Sequence, residues 1–214
     1  MINIRNEQPE DYRTTEEITR KSFWNLYCPG ALEHYILHTM RSHKDYIPEL
    51  GFVIEENGVI LGSIHFTHGK VVTPAGEEIP VVSFGPVCIT PERHRQGLGR
   101  MLITHAIESA KALGHRAIVI GGFPYHYKPY GFVGTKKYGI SMPDGKFYTA
   151  IMALPLYEGA LNGVSGQIHF SEAMYPDESG LEAFDATFPP IEKQTLPCQE
   201  AFQRASSELD EKEY

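Results

Sequence analysis

The sequence predicts an α/β chain of the α+β kind: a mixed, mostly antiparallel central sheet, helices on both of its faces, and a C-terminal extension. Three observations carry that expectation. Residues 51–67 read as two strands joined by Asn57-Gly58, and Asn-Gly supplies the positive φ values that a two-residue turn needs. The strand Val81 to Ile89 leads through Gly97-Leu98-Gly99 into a helix with apolar residues at Leu98, Leu102, Ala106, Ala110 and Leu113, which is helical spacing. A further strand, Arg116 to Gly121, follows Gly114, so strand, helix and strand alternate at the centre of a chain that otherwise reads as hairpins.

Taken in order, Ile2 to Arg5 alternates as a short first strand does. Pro9-Glu10-Asp11 opens a helix with acidic residues in its first turn, continued by Glu16 to Phe23. Asn25 to Gly30 breaks the pattern, and a second helix, about Ala31 to His43, carries Leu32, Tyr35, Ile36 and Met40 at helical spacing. After the hairpin, Thr73-Pro74-Ala75-Gly76 turns the chain into Glu78 through Ile89, whose Gly85-Pro86 predicts a distorted strand that loses regular pairing to one neighbour. The central helix, Gly97 to Leu113, ends at Gly114, a left-handed cap. Residues 122–127 form a short helical turn at most, and Gly131 to Tyr138 with Lys146 to Leu154 predict a closing antiparallel pair around Pro143-Asp144-Gly145. Beyond Pro155, residues 159–166 are loop-like, Gln167 to Phe170 suits a short strand, and Asp177 to Phe184 and Glu200 to Glu208 suit helices. The chain thus divides into one domain, residues 1–155, and an extension, residues 156–214, free to pack on the core, to cover a substrate site or to make a homodimer contact.

Composition narrows the function. A formal charge of −8 opposes general nucleic-acid binding, which needs basic surface to neutralise phosphates, and is compatible with a cationic substrate or an ordinary acidic surface. No apolar run approaches a membrane span, and Met1-Ile2-Asn3-Ile4-Arg5 lacks the apolar core of a signal peptide, so a cytoplasmic protein without membrane partners is expected. Cys28, Cys88 and Cys198 are too scattered for a disulfide framework or a zinc site. His34 and His38 stand one turn apart, but no third ligand accompanies them, so no metal is expected.

The glycines at the strand-to-helix junction sit where an anion binds. A helix start leaves its first backbone N–H groups without intrahelical partners at the positive end of the macrodipole, and glycine lets a phosphate approach closely. Arg95 and Arg100 can add full charges there, although Gly-x-Gly also occurs in ordinary loops. The order Val87-Cys88-Ile89, Pro91, His94, Arg95-Gln96, Gly97-Leu98-Gly99 resembles the signature of the GNAT acyl-CoA N-acyltransferases: hydrophobic strand, Pro, Arg or Gln, two variable residues, and Gly-x-Gly or Gly-x-Ala opening a helix. Downstream, Tyr127-Lys128-Pro129-Tyr130-Gly131-Phe132 is similar to the family's Tyr-x-x-x-Gly-Phe segment. The stretch from Gly85-Pro86 to Gly131-Phe132 looks most like the YhbS-like branch of N-acetyltransferases, and the resemblance spans residues 1–155. His94 stands where the family has Arg or Gln, and no Asn precedes a longer helix after Gly121.

The resemblance implies a GNAT fold with splayed fourth and fifth strands, acetyl-CoA as co-substrate, and an acceptor that is a small-molecule or peptide amine. It implies coenzyme contacts at Val87, Cys88, Ile89, His94, Arg95, Gln96, Gly97, Leu98, Gly99 and Arg100, with main-chain N–H and C=O groups of Val87 and Ile89 holding the pantetheine arm. It makes Tyr127 the general acid, and Glu33, His34 and Trp24 neighbours of the acceptor. Acyl transfer from a thioester needs positioning, charge stabilisation on the carbonyl oxygen and proton transfer, with no covalent enzyme intermediate when the amine attacks directly. Glu33, His65, His68 and a water chain all remain open as the base. Cys88, flanked by apolar residues and without an adjacent basic partner, suits a buried strand thiol rather than a nucleophile. Two other functions fit parts of the pattern. An acyl-CoA sensor would keep the phosphate cradle without turnover, and a nucleotide-binding protein is disfavoured because no Gly-Lys-Ser/Thr follows the glycines.

Overall fold

The computed structural model describes residues 1–214. Strands β1 (Ile2–Asn6), β2 (Phe52–Glu56), β3 (Val59–Val72) and β4 (Glu78–Ile89) form an antiparallel run. Asn57 (φ 52°) and Gly58 (φ 81°) turn β2 into β3 as the sequence predicts. β5 (Ala117–Gly121) lies parallel to β4, and β6 (Val133–Gly134) and β8 (Ile151–Pro155) complete the order β1-β2-β3-β4-β5-β8-β6. The far end of β3 also pairs with β9 (Gly166–His169), which runs parallel to β7 (Ile140–Ser141).

Alternation along these strands sorts the molecule into two faces. Phe52, Ile54, Ile64, Phe66, Val82, Phe84, Ile118 and Ile120 share one apolar cluster with Leu98, Leu102, Ile103, Ala106 and Ala110 of helix α3 (Leu98–Ala112). Each fully buried Leu, Ile or Phe of that cluster contributes about 1.5–3 kcal/mol, so the α3 side holds much of the fold's stability. The opposite face is polar: Ser63, His65, Thr67 and Ser83 are buried there, under α1 (Tyr12–Phe23) and α2 (Glu33–Met40). Arg41 cross-links this side, donating to Glu7 Oε1 and Glu16 Oε1, each at 2.7 Å, and to Thr15 Oγ1 at 2.7 Å. No helix is long and apolar enough to cross a membrane.

Two expected elements differ. The second helix ends at Met40 instead of His43, because Ser42 N–H turns back to Thr39 O in a tighter bond. The closing pair shrinks to Val133–Gly134 against β8, residues Thr135–Tyr138 coil, and Ile140–Ser141 leaves to join β9. Burial explains the departure, since Ile140 is packed among Val71, Val119 and Ile168 in a second apolar cluster.

After Pro155 the chain stays on the body. Leu161, Val164 and Ile168 complete that second cluster, and α5 (Leu181–Asp185) is drawn to α1 by Arg20 Nε to Asp185 Oδ1 at 2.6 Å. Trp24 Nε1 and Asn25 Nδ2 both donate to Glu192 O, at 2.9 and 3.0 Å. Helix α6 (Pro197–Ser207) follows, and the tail then reaches the residues before β8, where Asp210 N–H donates to Phe147 O at 2.8 Å.

Stability should depend on pH through the polar face. Burial pushes the imidazoles of His34 and His65 down from an ordinary 6.5 to about 4, against the pull of Asp185 and Glu7 respectively. Between those values the unfolded chain binds protons that the folded chain refuses, so stability falls as pH drops through that window. Burial also pushes Glu7 up, but His65, the Arg41 guanidinium and the Thr15 hydroxyl pull it further down, and its contribution is lost at still lower pH. The urea midpoint should therefore fall between about pH 7 and about pH 4, and the fall should be shallower in His65→Asn.

Candidate active site

β4 and β5 share a single register pair, Val82↔Ile118. Beyond it β4 carries a bulge, with Gly85 and Pro86 set against the lone His65 of β3 between the pairs Ile64↔Val87 and Phe66↔Phe84. The two strands part and open a cleft of about 880 Å³. Thr90 N–H donates to Leu61 O at 2.7 Å, so by alternation the main-chain groups of Val87 and Ile89 turn away from β3 and into the cleft. One expectation needs correcting. The Ile89 carbonyl is already engaged, accepting from Ser22 Oγ at 3.1 Å with His94 Nε2 at 2.8 Å, so Ile89 offers its N–H alone.

At the end of the cleft the loop before α3 curls through two left-handed residues, Arg95 (φ 59°) and Gly97 (φ 82°). The N–H groups of Gly97, Leu98, Gly99 and Arg100 precede Met101, whose N–H is bonded to Gly97 O at 3.0 Å. A Cβ on Gly97 would meet nothing within 4 Å, and one on Gly99 only Ile89 Cγ1 at 3.7 Å, so the side-chain positions of both glycines are open. Arg93 is tied to Glu56 at 2.7 Å and to Gln96 Oε1 at 2.8 Å, which turns the Gln96 side chain away from the cleft. Arg95, Arg100, His94, Gly97, Leu98, Gly99, Val87, Cys88 and Ile89 all line it.

Tyr127 also lines the cleft, from the single turn α4 (Pro124–Tyr127). Its ring packs on Phe84 and Phe132, at 5.7 and 5.9 Å between centroids, and Gly131 (φ 95°) ends the following turn in a left-handed conformation. Burial, with a smaller push from Tyr130, raises its phenol to about 12. Gly122 has a specific role here, because a Cβ on it would lie 2.5 Å from Tyr127 Cε2.

Of the three side chains considered as base, Glu33 alone lines the cleft. It opens α2, its Oε2 accepts from Leu32 N–H at 3.0 Å, and burial pushes its carboxyl above the usual range despite that bond. His65 is fully buried beside Glu7 and Tyr46, and His68 lies beside His115. The expected acceptor neighbours Trp24 and His34 are elsewhere: Trp24 holds Glu192 O, and His34 is sealed between Phe184, Phe188 and Asp185. His38 pairs with Glu16. Cys88 lies 3.4 Å from Thr19 Oγ1, and burial raises its thiol out of the reactive range. Tyr27 is the residue that sequence reasoning missed. Burial, then Glu33, Tyr127 and Tyr125, push its phenol up, which places it among those groups, but it sits in the unpatterned break between helices, where periodicity gives no signal.

A model of the acetyltransferase (GNAT) family matches residues 20–128. The chain is 27% identical over 170 residues to an uncharacterized N-acetyltransferase, YhbS, of Escherichia coli K12, a match covering 79% of this chain and 96% of that one. The crystal structure of E. coli YhbS in complex with CoA superposes with a TM-score of 0.72 at 26% identity, covering 82% of this chain and 92% of that one. A GNAT family acetyltransferase from Brucella melitensis in complex with acetyl-CoA gives 0.65 at 23% identity, over 81% and 97%. The architecture is therefore the GNAT fold, with its mixed open sheet and parted central strands.

The Gly122–Tyr127 contact gives a direct test. In Gly122→Ala the added methyl group must displace the Tyr127 ring, so acetyl-CoA-dependent turnover should fall about tenfold or more while acetyl-CoA affinity stays within about twofold. Steady-state kinetics beside calorimetric titration with acetyl-CoA would show it.

Proposed function

The chain belongs to the acetyltransferase (GNAT) family, and on that premise we propose that it transfers the acetyl group of acetyl-CoA to a primary amine by direct attack. The observation that carries this reading is the parting of β4 from β5, which leaves inward-facing main-chain groups between an amide-lined loop and a buried phenol. The loop from His94 to Arg100 takes the diphosphate on its N–H groups, with Arg95 and Arg100 supplying charge. Val87 and the Ile89 N–H hold the pantetheine arm as an added strand would, directing the thioester toward Tyr127.

In the transfer, the amine nitrogen bonds to the carbonyl carbon and the C–S bond breaks with its electron pair going to sulfur. Tyr127, protonated at neutral pH, gives its proton to the departing thiolate, and Glu33 takes the proton from nitrogen. Glu33 suits that task because burial has moved its carboxyl toward the working pH, where a base accepts a proton more readily. The products are the N-acetyl amide and free CoA, and no covalent enzyme intermediate forms.

Two measurements test this. Acetyl-CoA at a hundredfold excess over its dissociation constant should stabilise the protein by about 2.7 kcal/mol in thermal unfolding, and ATP by far less; no shift with acetyl-CoA rejects the cradle. Tyr127→Phe should then lower kcat for CoA release by about a hundredfold at unchanged acetyl-CoA affinity, and unchanged turnover removes the acid role. For Glu33 the pH profile is the readout. The wild-type rate should fall on the acid side as the carboxylate takes up its proton, and Glu33→Gln should lose that limb together with most of its rate. Tight coenzyme binding without CoA release from any amine would favour the sensor.

A further inference from the structure

We propose that the cleft accepts its amine on an aromatic body, and that Phe202 of the C-terminal helix is a specificity-determining residue for it; this rests on the acetyl-transfer reading above. Charge in the cleft is unevenly supplied. Arg93, Arg95 and Arg100 line it from the loop before α3 and the first turn of that helix, whereas Glu33 is the one acidic side chain lining it. An ammonium group is drawn to Glu33, but a polyamine's further charges find no second carboxylate there and meet the arginines instead.

Glu33 shares the cleft with a group of aromatic rings, and its charge is felt by one of them, Tyr27. Phe23 and Tyr27 at the end of α1 stand 5.7 Å apart between ring centroids. Phe202 stacks on Tyr27 at 4.0 Å with 23° between planes, and its ring meets Phe123, just past β5, at 5.8 Å and 69°. One ring of α6 thus touches both walls of the cleft where β4 and β5 have parted, and all four aromatic residues line it. Rings set at these angles present faces and edges to a further ring, which stacks or abuts them with about 0.5–1.5 kcal/mol beyond its burial. The same faces attract an ammonium carried close to the ring. A long, hydrated polyamine shares only the second effect, and it loses water from charges that no second carboxylate lining the cleft offsets.

α6 is held in that position from both ends. At its start, Gln199 Nε2 of its first turn donates to Asn25 O at 3.0 Å, and just before it Gln194 N–H donates to Asn25 Oδ1 at 3.0 Å, fastening it to the loop after α1. After it, Thr149 N–H donates to Glu208 O at 2.9 Å and Asp210 is buried against residue 147, fastening its end to the β8 side. The segment beyond Pro155 therefore completes the acceptor end of the cleft as a fixed wall.

The experiment titrates 2-phenylethylamine, spermidine and an alanyl tripeptide into the full chain saturated with CoA, then measures acetyl transfer to each. The arylamine should bind tightest, by about tenfold, and have the highest kcat/KM. Phe202→Ala should raise its KM about tenfold while spermidine and acetyl-CoA change by less than about twofold. Should that variant misfold, Phe202→Leu keeps the apolar volume, loses the ring and should show the same selective loss. A preference for spermidine or the tripeptide, or an equal loss for every acceptor in either variant, overturns the proposal. Transfer to amines without the aryl preference sinks this inference and keeps the acetyltransferase reading, whereas arylamine binding without transfer does the reverse.

Discussion

Past Val82 and Ile118, two parallel strands that begin as neighbours share no further pairing, and the main chain of β4 is left facing open space. A backbone N–H or C=O in that position costs free energy unless something else satisfies it. The protein supplies part of the answer, with Ser22 and His94 on the Ile89 carbonyl, and leaves the rest to whatever enters the cleft. The bulge opposite His65 and the early end of β5 at Gly121 both serve this separation, and the loop before α3 and Tyr127 both line the cleft that results.

The separation is tolerable because each face of the sheet is anchored independently of it. On one side α3 packs an apolar stripe over four strands, so the loop before it is held by the core rather than by its own contacts. That rigidity matters for an anion cradle, whose amides must be in place before the anion arrives. On the other side Arg41, Glu7 and Glu16 clamp α1 to α2, and α2 in turn delivers Glu33 to the cleft. Buried ion pairs add little net stability but cost much when half of one is removed, so they fix a geometry more than they strengthen it.

The C-terminal segment shows how a fold shared with other family members acquires a site of its own. Asp185 beneath Arg20, the carbonyl of Glu192 beneath Trp24 and Asn25, and Asp210 beside Phe147 are successive fastenings along one path. Between the second and third of them lies α6, and with it the ring of Phe202. The part of the cleft lining that α6 supplies depends on this path.

The sequence by itself determined the hairpin at Asn57-Gly58, the strand broken at Gly85-Pro86, the left-handed cap at Gly114 and the apolar stripe of α3, because each rests on the backbone freedom or spacing of adjacent residues. The loop before α3 and Tyr127, singled out there from contiguous motifs, both line the cleft. It misjudged Ile140–Ser141, whose pairing is settled by burial against Ile168, and it set His34 and Trp24 beside the acceptor when they serve the C-terminal segment. Only the tertiary structure showed that Glu33, among the side chains left open beside a water chain, lines the cleft, and brought Tyr27 to Phe202, residues separated by most of the chain. Local rules reach no farther than a helix turn or a strand pair; which distant groups share a cleft is decided by packing, where burial and mutual exclusion of water act without regard to separation along the chain.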